Sequence, residues 1–282
     1  MNGKNEKQRA FDENMIPLWV DQGRHLHDLG MYNEALERFD KVLKLRPNHL
    51  VALVGKASSL EKLGRYEEAL EYFERALSIN KYYKDALHGK GRILLNVYEK
   101  YEEALQVYNR IIEIDKSDVN AWIGKCTSLL YSQKYDEALK CFDEALRMNP
   151  KSVILWNNKA VALELLKRYE KALDCYSKAI ELDPKSAMPW GNKGKLLIVL
   201  SKHKEALECL NKALELDPEN LDYLIHKGIA LIGLDKYNEA LEIFNTVLDR
   251  EPHNKNAIFG KIIALRQLGR NKEAEKLIKL LD

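Results

Sequence analysis

The sequence has few of the residues that interrupt regular structure or cross-link it. Its 282 residues include only 14 glycines, 7 prolines and 4 cysteines, and the low glycine and proline content argues against a loop-rich or low-complexity protein. No run of about eighteen apolar residues, the length of a membrane span, is present. The polar N-terminus lacks the apolar segment of a signal peptide. We therefore expect a cytoplasmic protein without a membrane partner.

An excess of one charge is also missing. The 45 lysines and arginines nearly balance the 43 aspartates and glutamates, giving a formal net charge of +2. A nucleic-acid binder usually carries a strongly basic surface, so we expect no nucleic-acid partner. Hydrophobic residues make up 46% of the chain and charged residues 31%, a composition typical of a folded chain rather than a disordered one.

A period of 34 residues dominates what is present. One alanine recurs at intervals of 34, with a single interval of 35, as Ala35, Ala69, Ala104, Ala138, Ala172, Ala206, Ala240 and Ala274. Tryptophan and proline keep the same interval, as Trp122, Trp156 and Trp190 and as Pro150, Pro184, Pro218 and Pro252. A fixed period of this length is typical of a repeat protein.

The period divides the chain into eight units. They are residues 16–49, 50–83, 84–118, 119–152, 153–186, 187–220, 221–254 and the truncated 255–282. Each unit holds two segments with apolar residues at helical spacing, such as 153–166 and 169–182, which predicts a pair of helices. Residues 1–15 precede the first unit, and we expect them to be a polar, disordered leader.

These residues resemble the tetratricopeptide repeat family. The pattern is carried by Trp156, Ala160, Tyr169, Ala172, Tyr176, Ala179 and Pro184 in one unit and by equivalent residues in the others. The resemblance covers residues 16–282 as a single array. It implies an all-α, right-handed superhelical solenoid of antiparallel helix pairs, whose first helices line a concave groove that binds another protein.

The cysteines follow the same period. Cys141, Cys175 and Cys209 are 34 residues apart, and no CxxC pair is present. Neighbouring helices pack about 10 Å apart, which exceeds the roughly 4.4–6.8 Å that a disulfide spans between Cα atoms. We therefore expect these three cysteines and Cys126 to be free thiols in a reducing compartment.

A search for catalytic chemistry finds little. His25 and His27 are two residues apart and point to different helix faces, so they do not share a metal ion. The segments 88–92 and 124–128 contain Gly-Lys but lack the first glycine of the GxxxxGK[ST] phosphate loop. The sequence thus predicts a protein that is not an enzyme, with no catalytic residues, no metal and no cofactor.

By the resemblance, function lies in the groove. Its predicted lining residues for peptide binding are Arg24, Val54, Ser58, Arg92, Ile123, Thr127, Asn157, Asn158, Val161, Asn192, Lys195, His226, Ile229 and Phe259. The asparagine amides both donate to and accept from a peptide backbone, and Arg24, Arg92 and Lys195 are expected to pair with acidic groups of the ligand. The first hypothesis is a scaffold or adaptor that binds a peptide or helix of a partner protein.

The second hypothesis is a self-assembling structural protein. The last unit ends in Ile-Lys-Leu-Leu-Asp and has no polar capping helix, so Leu277, Leu280 and Leu281 are expected to expose an open end of the array. Terminal repeats normally need a polar outer face. An apolar end favours stacking on a second copy, or capture of a terminus by the groove of a neighbour.

Overall fold

The computed structural model describes residues 12–278, and this part of the chain consists of helices and turns without a strand. Residues 12–14 are helical, whereas residues 1–11 of the predicted leader lie outside the described residues. The helices from residue 16 onward are α1 (Ile16–Asp28), α2 (Tyr32–Leu45), α3 (Leu50–Lys62), α4 (Tyr66–Ile79), α5 (Lys84–Asn96), α6 (Tyr101–Ile114), α7 (Val119–Tyr131), α8 (Tyr135–Met148), α9 (Val153–Leu165), α10 (Tyr169–Leu182), α11 (Ala187–Val199), α12 (His203–Leu216), α13 (Leu221–Ile232), α14 (Tyr237–Arg250), α15 (Lys255–Gln267) and α16 (Asn271–Ile278).

Each odd-numbered helix forms an antiparallel pair with the even-numbered helix that follows it. Only three or four residues separate the two helices of a pair, a connection typical of an αα-hairpin. None of the described helices is long and apolar enough to cross a lipid bilayer.

The turn inside each pair contains one residue in the left-handed conformation. Three of these residues are Gly30, Gly64 and Gly269, and the other five are Glu99, Gln133, Lys167, Ser201 and Asp235, all with positive φ. The backbone then closes the end of the first helix: Lys167 N–H donates to Glu164 O at 2.8 Å, and Arg168 N–H donates to Leu163 O at 2.8 Å. Such a C-terminal motif satisfies carbonyl groups that the helix leaves unpaired.

Aromatic rings of the second helices hold the pairs together. Phe39 of α2 is fully buried, and a Cβ atom on Gly23 or Gly55 would lie 2.7 or 2.3 Å from its ring. Since Gly23 is on α1 and Gly55 is on α3, the ring is wedged between its own pair and the next. Only glycine allows such a close approach of ring and backbone. Farther along the chain, Phe244 of α14 packs in the same way between a glycine of α13 and a glycine of α15.

The helix pairs group into two larger compact units, and from here on "unit one" and "unit two" mean these two parts and not single repeats. Unit one ends at Cys141 and unit two begins at Phe142, so the boundary lies inside α8. Buried apolar residues of α1 to α5 form one cluster in unit one, and a second cluster continues through α5, α6 and α7. In unit two, one buried cluster lies around α11 to α13, and another extends from α13 to α16.

The cysteines depart from the sequence prediction at one place. Cys126 of α7 and Cys141 of α8 form a disulfide, with their Cα atoms 5.4 Å apart, so the prediction of four free thiols is wrong for this pair. Comparing equivalent positions in successive repeats overlooked a contact across one helix pair, where residues 15 apart face each other. Cys175 and Cys209 are free and buried, and burial raises the pKa of both thiols.

The disulfide generates a stability prediction. Closing a loop of 15 residues removes unfolded-state entropy worth about 3 kcal/mol, so reducing agent should lower the free energy of unfolding by about that amount. Urea denaturation with and without dithiothreitol measures the change. The control is Cys141→Ala, which retains Cys175 and Cys209 and should not respond to the reductant. An equal response of both proteins would contradict the prediction.

The left-handed turn residues generate a second stability prediction. Ser201 has φ 58°, a conformation that costs a residue with a Cβ atom about 1 kcal/mol more than it costs glycine. Ser201→Gly should therefore raise the free energy of unfolding by about 1 kcal/mol. The matched variant Gly64→Ala, at φ 74°, should lower it. Thermal melts of the two variants that shift in the same direction would refute this explanation.

Candidate functional site

The predicted groove residues of unit one lie on its first helices, and one of them, Arg92, is already paired within the protein. Arg92 of α5 donates two hydrogen bonds to the Glu61 carboxylate of α3, at 3.1 and 2.8 Å. These bonds raise the pKa of Arg92. Close by in the chain, His88 of α5 lies 3.0 Å from Asp118. Arg92, one of the three cations expected to meet an acidic ligand, is thus engaged within the protein.

The remaining predicted residues of unit one differ in exposure. Arg24 is exposed, whereas Ser58, Ile123 and Thr127 are half-buried. Val54 is 9% exposed and belongs to the buried cluster of α1 to α5. It offers almost no surface to a ligand, because it packs between helices, and it is removed from the candidate site.

Unit two contains a cleft that gathers five of the predicted residues. It has a volume of about 460 Å³ and is formed by the first helices α9, α11 and α13 with one side chain from α10. We call it the α9–α13 cleft. Its lining residues are Val161, Glu164, Leu165, Tyr176, Asn192, Lys195, Ile198, Val199, His226 and Ile229.

The rim of the cleft is apolar and open to solvent. Leu165, the last residue of α9, is 51% exposed, and Val199, the last residue of α11, is 61% exposed. The two occupy equivalent positions 34 residues apart. Sequence reasoning missed both because it mapped the groove onto earlier turns of the first helices, although an apolar residue at two equivalent helix ends is a signal that the sequence contains.

Three asparagines form a hydrogen-bonded chain beside the cleft. Asn192 Nδ2 donates to Asn157 Oδ1 at 3.0 Å, and Asn157 Nδ2 donates to Asn158 Oδ1 at 3.1 Å. Asn157 is only 2% exposed, so it is also removed from the candidate site. Asn192 therefore both lines the cleft and satisfies a buried amide.

Two cations of the cleft lining, Lys195 of α11 and His226 of α13 when protonated, share one carboxylate beside it. Lys195 Nζ lies 3.1 Å from Asp222 Oδ2, and His226 Nδ1 lies 3.2 Å from Asp222 Oδ1. Hydrogen bonds from His226 and Lys195 hold the pKa of Asp222 well below its ordinary value, against the opposing effect of burial. The Lys195 ammonium group is consequently paired with a residue of the following repeat, Asp222.

A second carboxylate in the cleft is not paired in this way. Glu164 is half-buried, and its Oε2 accepts a hydrogen bond from the Tyr176 hydroxyl at 3.0 Å. Within residues 12–278, no cation lies at ion-pair distance from it, and Lys195 acts on it only through its field. Burial raises the pKa of Glu164, which the Tyr176 hydrogen bond and Lys195 partly offset.

Phe259 of α15 is the last predicted residue. It is 60% exposed and does not line the α9–α13 cleft.

Among the described residues, no group of three or more histidines, cysteines or acidic side chains is arranged to hold a metal ion. The cleft is therefore suited to binding through apolar contact, hydrogen bonds and charge.

Asn192 generates a prediction that separates its two roles. Asn192→Ala removes the donor to Asn157 Oδ1 and leaves a buried carbonyl oxygen unpaired, at a cost of about 1–3 kcal/mol. The exposed Asn211 of α12 provides the control, since Asn211→Ala removes an amide of the same size from the surface. Chemical denaturation should show a lower free energy of unfolding for Asn192→Ala but not for Asn211→Ala. Equal free energies of unfolding for the two variants would show that the hydrogen bond from Asn192 does not stabilise the buried Asn157.

Family models of the tetratricopeptide repeat match most of the chain. Their matches cover residues 14–81 and 48–117, 125–187, 187–220 and 231–282. None of the curated proteins matches the sequence.

Solved structures share the fold. A tetratricopeptide repeat protein from Parabacteroides merdae is 17% identical with a TM-score of 0.72, and the match covers 89% of this chain and 99% of that one. Yeast Tom70 is 22% identical with a TM-score of 0.67; the match covers 98% of this chain but only 59% of Tom70. YrrB, described as having an unusual peptide-binding site, is 25% identical with a TM-score of 0.53, over 64% of this chain and 94% of YrrB.

Proposed function

Because this chain belongs to the tetratricopeptide repeat family, we propose that it is a non-catalytic scaffold or adaptor that binds a peptide segment of a partner protein in the α9–α13 cleft. Stacked helical repeats present extended surfaces that serve protein binding. The peptide-binding site described for YrrB supports a peptide as the class of ligand.

The observation that carries the proposal is the combination of open apolar side chains with a few inward polar groups. Leu165 and Val199 expose half or more of their surface at the rim, while Asn192 and Glu164 lie on the lining. Ligand sites are typically concave, mainly apolar and supplied with a small number of polar groups. An exposed apolar patch also tends to mark an interaction surface.

The dimensions of the cleft suit a short segment. Packed helices lie about 8–10 Å apart, so the two steps from α9 to α11 and from α11 to α13 span roughly 16–20 Å. An extended peptide of about five or six residues covers that distance, at roughly 3.3 Å per residue. The amide of Asn192, at the middle helix, is placed to bond a peptide group near the centre of such a segment.

Self-association remains the competing function. The structure places Leu277 against the buried cluster of α13 to α16, so this leucine is engaged within its own unit. Leu280 and Leu281, the other residues of the predicted open end, lie outside the described residues.

Site-specific cross-linking tests the proposal. A photoreactive residue at Val199 should form covalent adducts with a partner peptide in an extract of the native host, and digestion with mass spectrometry should identify the attached segment. The same residue at the exposed Lys212 of α12 is the matched control and should give few adducts. Equal labelling at both sites would contradict the proposal, and adducts consisting of a second copy of this chain would favour self-association.

The rim leucine and valine give a quantitative prediction. Leu165→Ser with Val199→Ser should weaken binding of the identified peptide about tenfold or more, since about 1.4 kcal/mol or more of apolar contact is lost. Ile154→Ser, at another exposed apolar residue of α9 outside the cleft lining, should leave the affinity unchanged. Isothermal titration calorimetry measures both; an undiminished affinity of the double variant would remove the rim from the binding site.

A further inference from the structure

Glu61 in unit one and Glu164 in unit two occupy the same repeat position but have different partners. The spacing from Glu61 to Arg92 is 31 residues, and the spacing from Glu164 to Lys195 is also 31, so each carboxylate has a cation at the equivalent place in the following repeat. In unit one the two groups form a two-bond ion pair at 2.8 and 3.1 Å. In unit two Lys195 bonds Asp222 instead, and the Tyr176 hydroxyl is the one partner of Glu164 among residues 12–278.

The difference in pairing coincides with a different side chain in the next repeat. Asp222 of α13 takes Lys195 and is itself held by His226. The equivalent position in unit one is Asn120, an exposed residue of α7, which carries no charge to compete for Arg92. Of the two carboxylates near Lys195, this cation therefore pairs with Asp222 and not with Glu164.

The Glu164 carboxylate, when ionised in the partly dehydrated cleft, can accept further hydrogen bonds and attract a cation. It has about four lone-pair sites, of which the Tyr176 hydroxyl uses one. Removing a charge from water without a counter-charge is costly. A cation brought by a ligand would recover that cost and add a charge-assisted hydrogen bond.

We propose that the α9–α13 cleft selects a peptide segment carrying a basic side chain, lysine or arginine, whose cationic head bonds Glu164 while its aliphatic stem lies along Leu165 and Val199. This inference rests on the proposed function and adds the chemistry of the ligand. Long basic side chains combine an apolar stem with a charged head, which matches an apolar rim beside a half-buried carboxylate. The same Glu164 repels an acidic segment, in contrast to the acidic ligand expected from Lys195 in the sequence.

Selection from a random peptide library displayed on phage tests the ligand class. Peptides selected on the full chain should be enriched in lysine or arginine flanked by apolar residues, and the enrichment should disappear on the Glu164→Gln variant. The matched control is Glu208→Gln, a carboxylate on the exposed face of α12, which should select the same basic peptides as the unmodified chain. Selection of acidic or uncharged peptides would overturn the inference.

Titration of one selected peptide then tests the mechanism. Glu164→Gln should weaken its binding about tenfold or more, and so should replacement of its basic residue by norleucine. Asp222→Asn recreates the arrangement of Asn120 in unit one, so it should release Lys195 to Glu164 and also weaken binding. Lys195→Met should strengthen it. Unchanged affinity in Glu164→Gln and Asp222→Asn would refute the role of the carboxylate.

The outcomes separate this inference from the proposed function. If Leu165→Ser with Val199→Ser abolishes binding while Glu164→Gln does not, the cleft binds peptides but does not read a basic side chain. If neither variant affects any selected peptide, the peptides bind elsewhere and both proposals fail.

Discussion

The packing of a second-helix ring between glycines of two successive first helices is the contact on which the structure depends. Phe39 and Phe244 fill this place with glycine on both sides. The position that is Gly55, Gly89 and Gly124 in unit one is Asn158, Asn192 and His226 on α9, α11 and α13, and it is glycine again at Gly260 of α15. A larger side chain occupies space that glycine leaves to the facing helix, and these three residues all lie on the helices that form the α9–α13 cleft.

The polar groups of the cleft show how a repeat protein separates folding from recognition. The buried alanine recurs in every pair, whereas Lys195 and Asp222 stand where unit one has Arg92 and Asn120. Two repeat positions that carry a carboxylate and a cation give a closed ion pair in one unit and an open carboxylate in the other. The difference arises from a third residue in a third repeat, so the cleft has a property that no single repeat possesses.

The period of the sequence was sufficient to predict the fold, because the alanine recurs in all eight helix pairs and tryptophan and proline keep the same spacing where they occur. Five of the predicted groove residues line one cleft, since equivalent positions on stacked first helices share a face. The exceptions depend on choices that spacing does not encode. Asn157 is buried and hydrogen-bonds Asn158 and Asn192. Lys195 pairs with Asp222 and not with Glu164. Cys126 forms a disulfide with Cys141 of the same helix pair, not with a cysteine of a neighbouring pair.

The covalent link between α7 and α8 has a consequence for how the protein opens. In an array whose repeats contact only their neighbours, melting spreads stepwise from one pair to the next. Cys126 and Cys141 keep the helices of the fourth pair within reach of each other even when the adjoining α5 and α6 have come apart. The neighbouring helix pairs then refold against the linked α7–α8 pair. After local opening of unit one, refolding therefore propagates from this pair and needs no new nucleation.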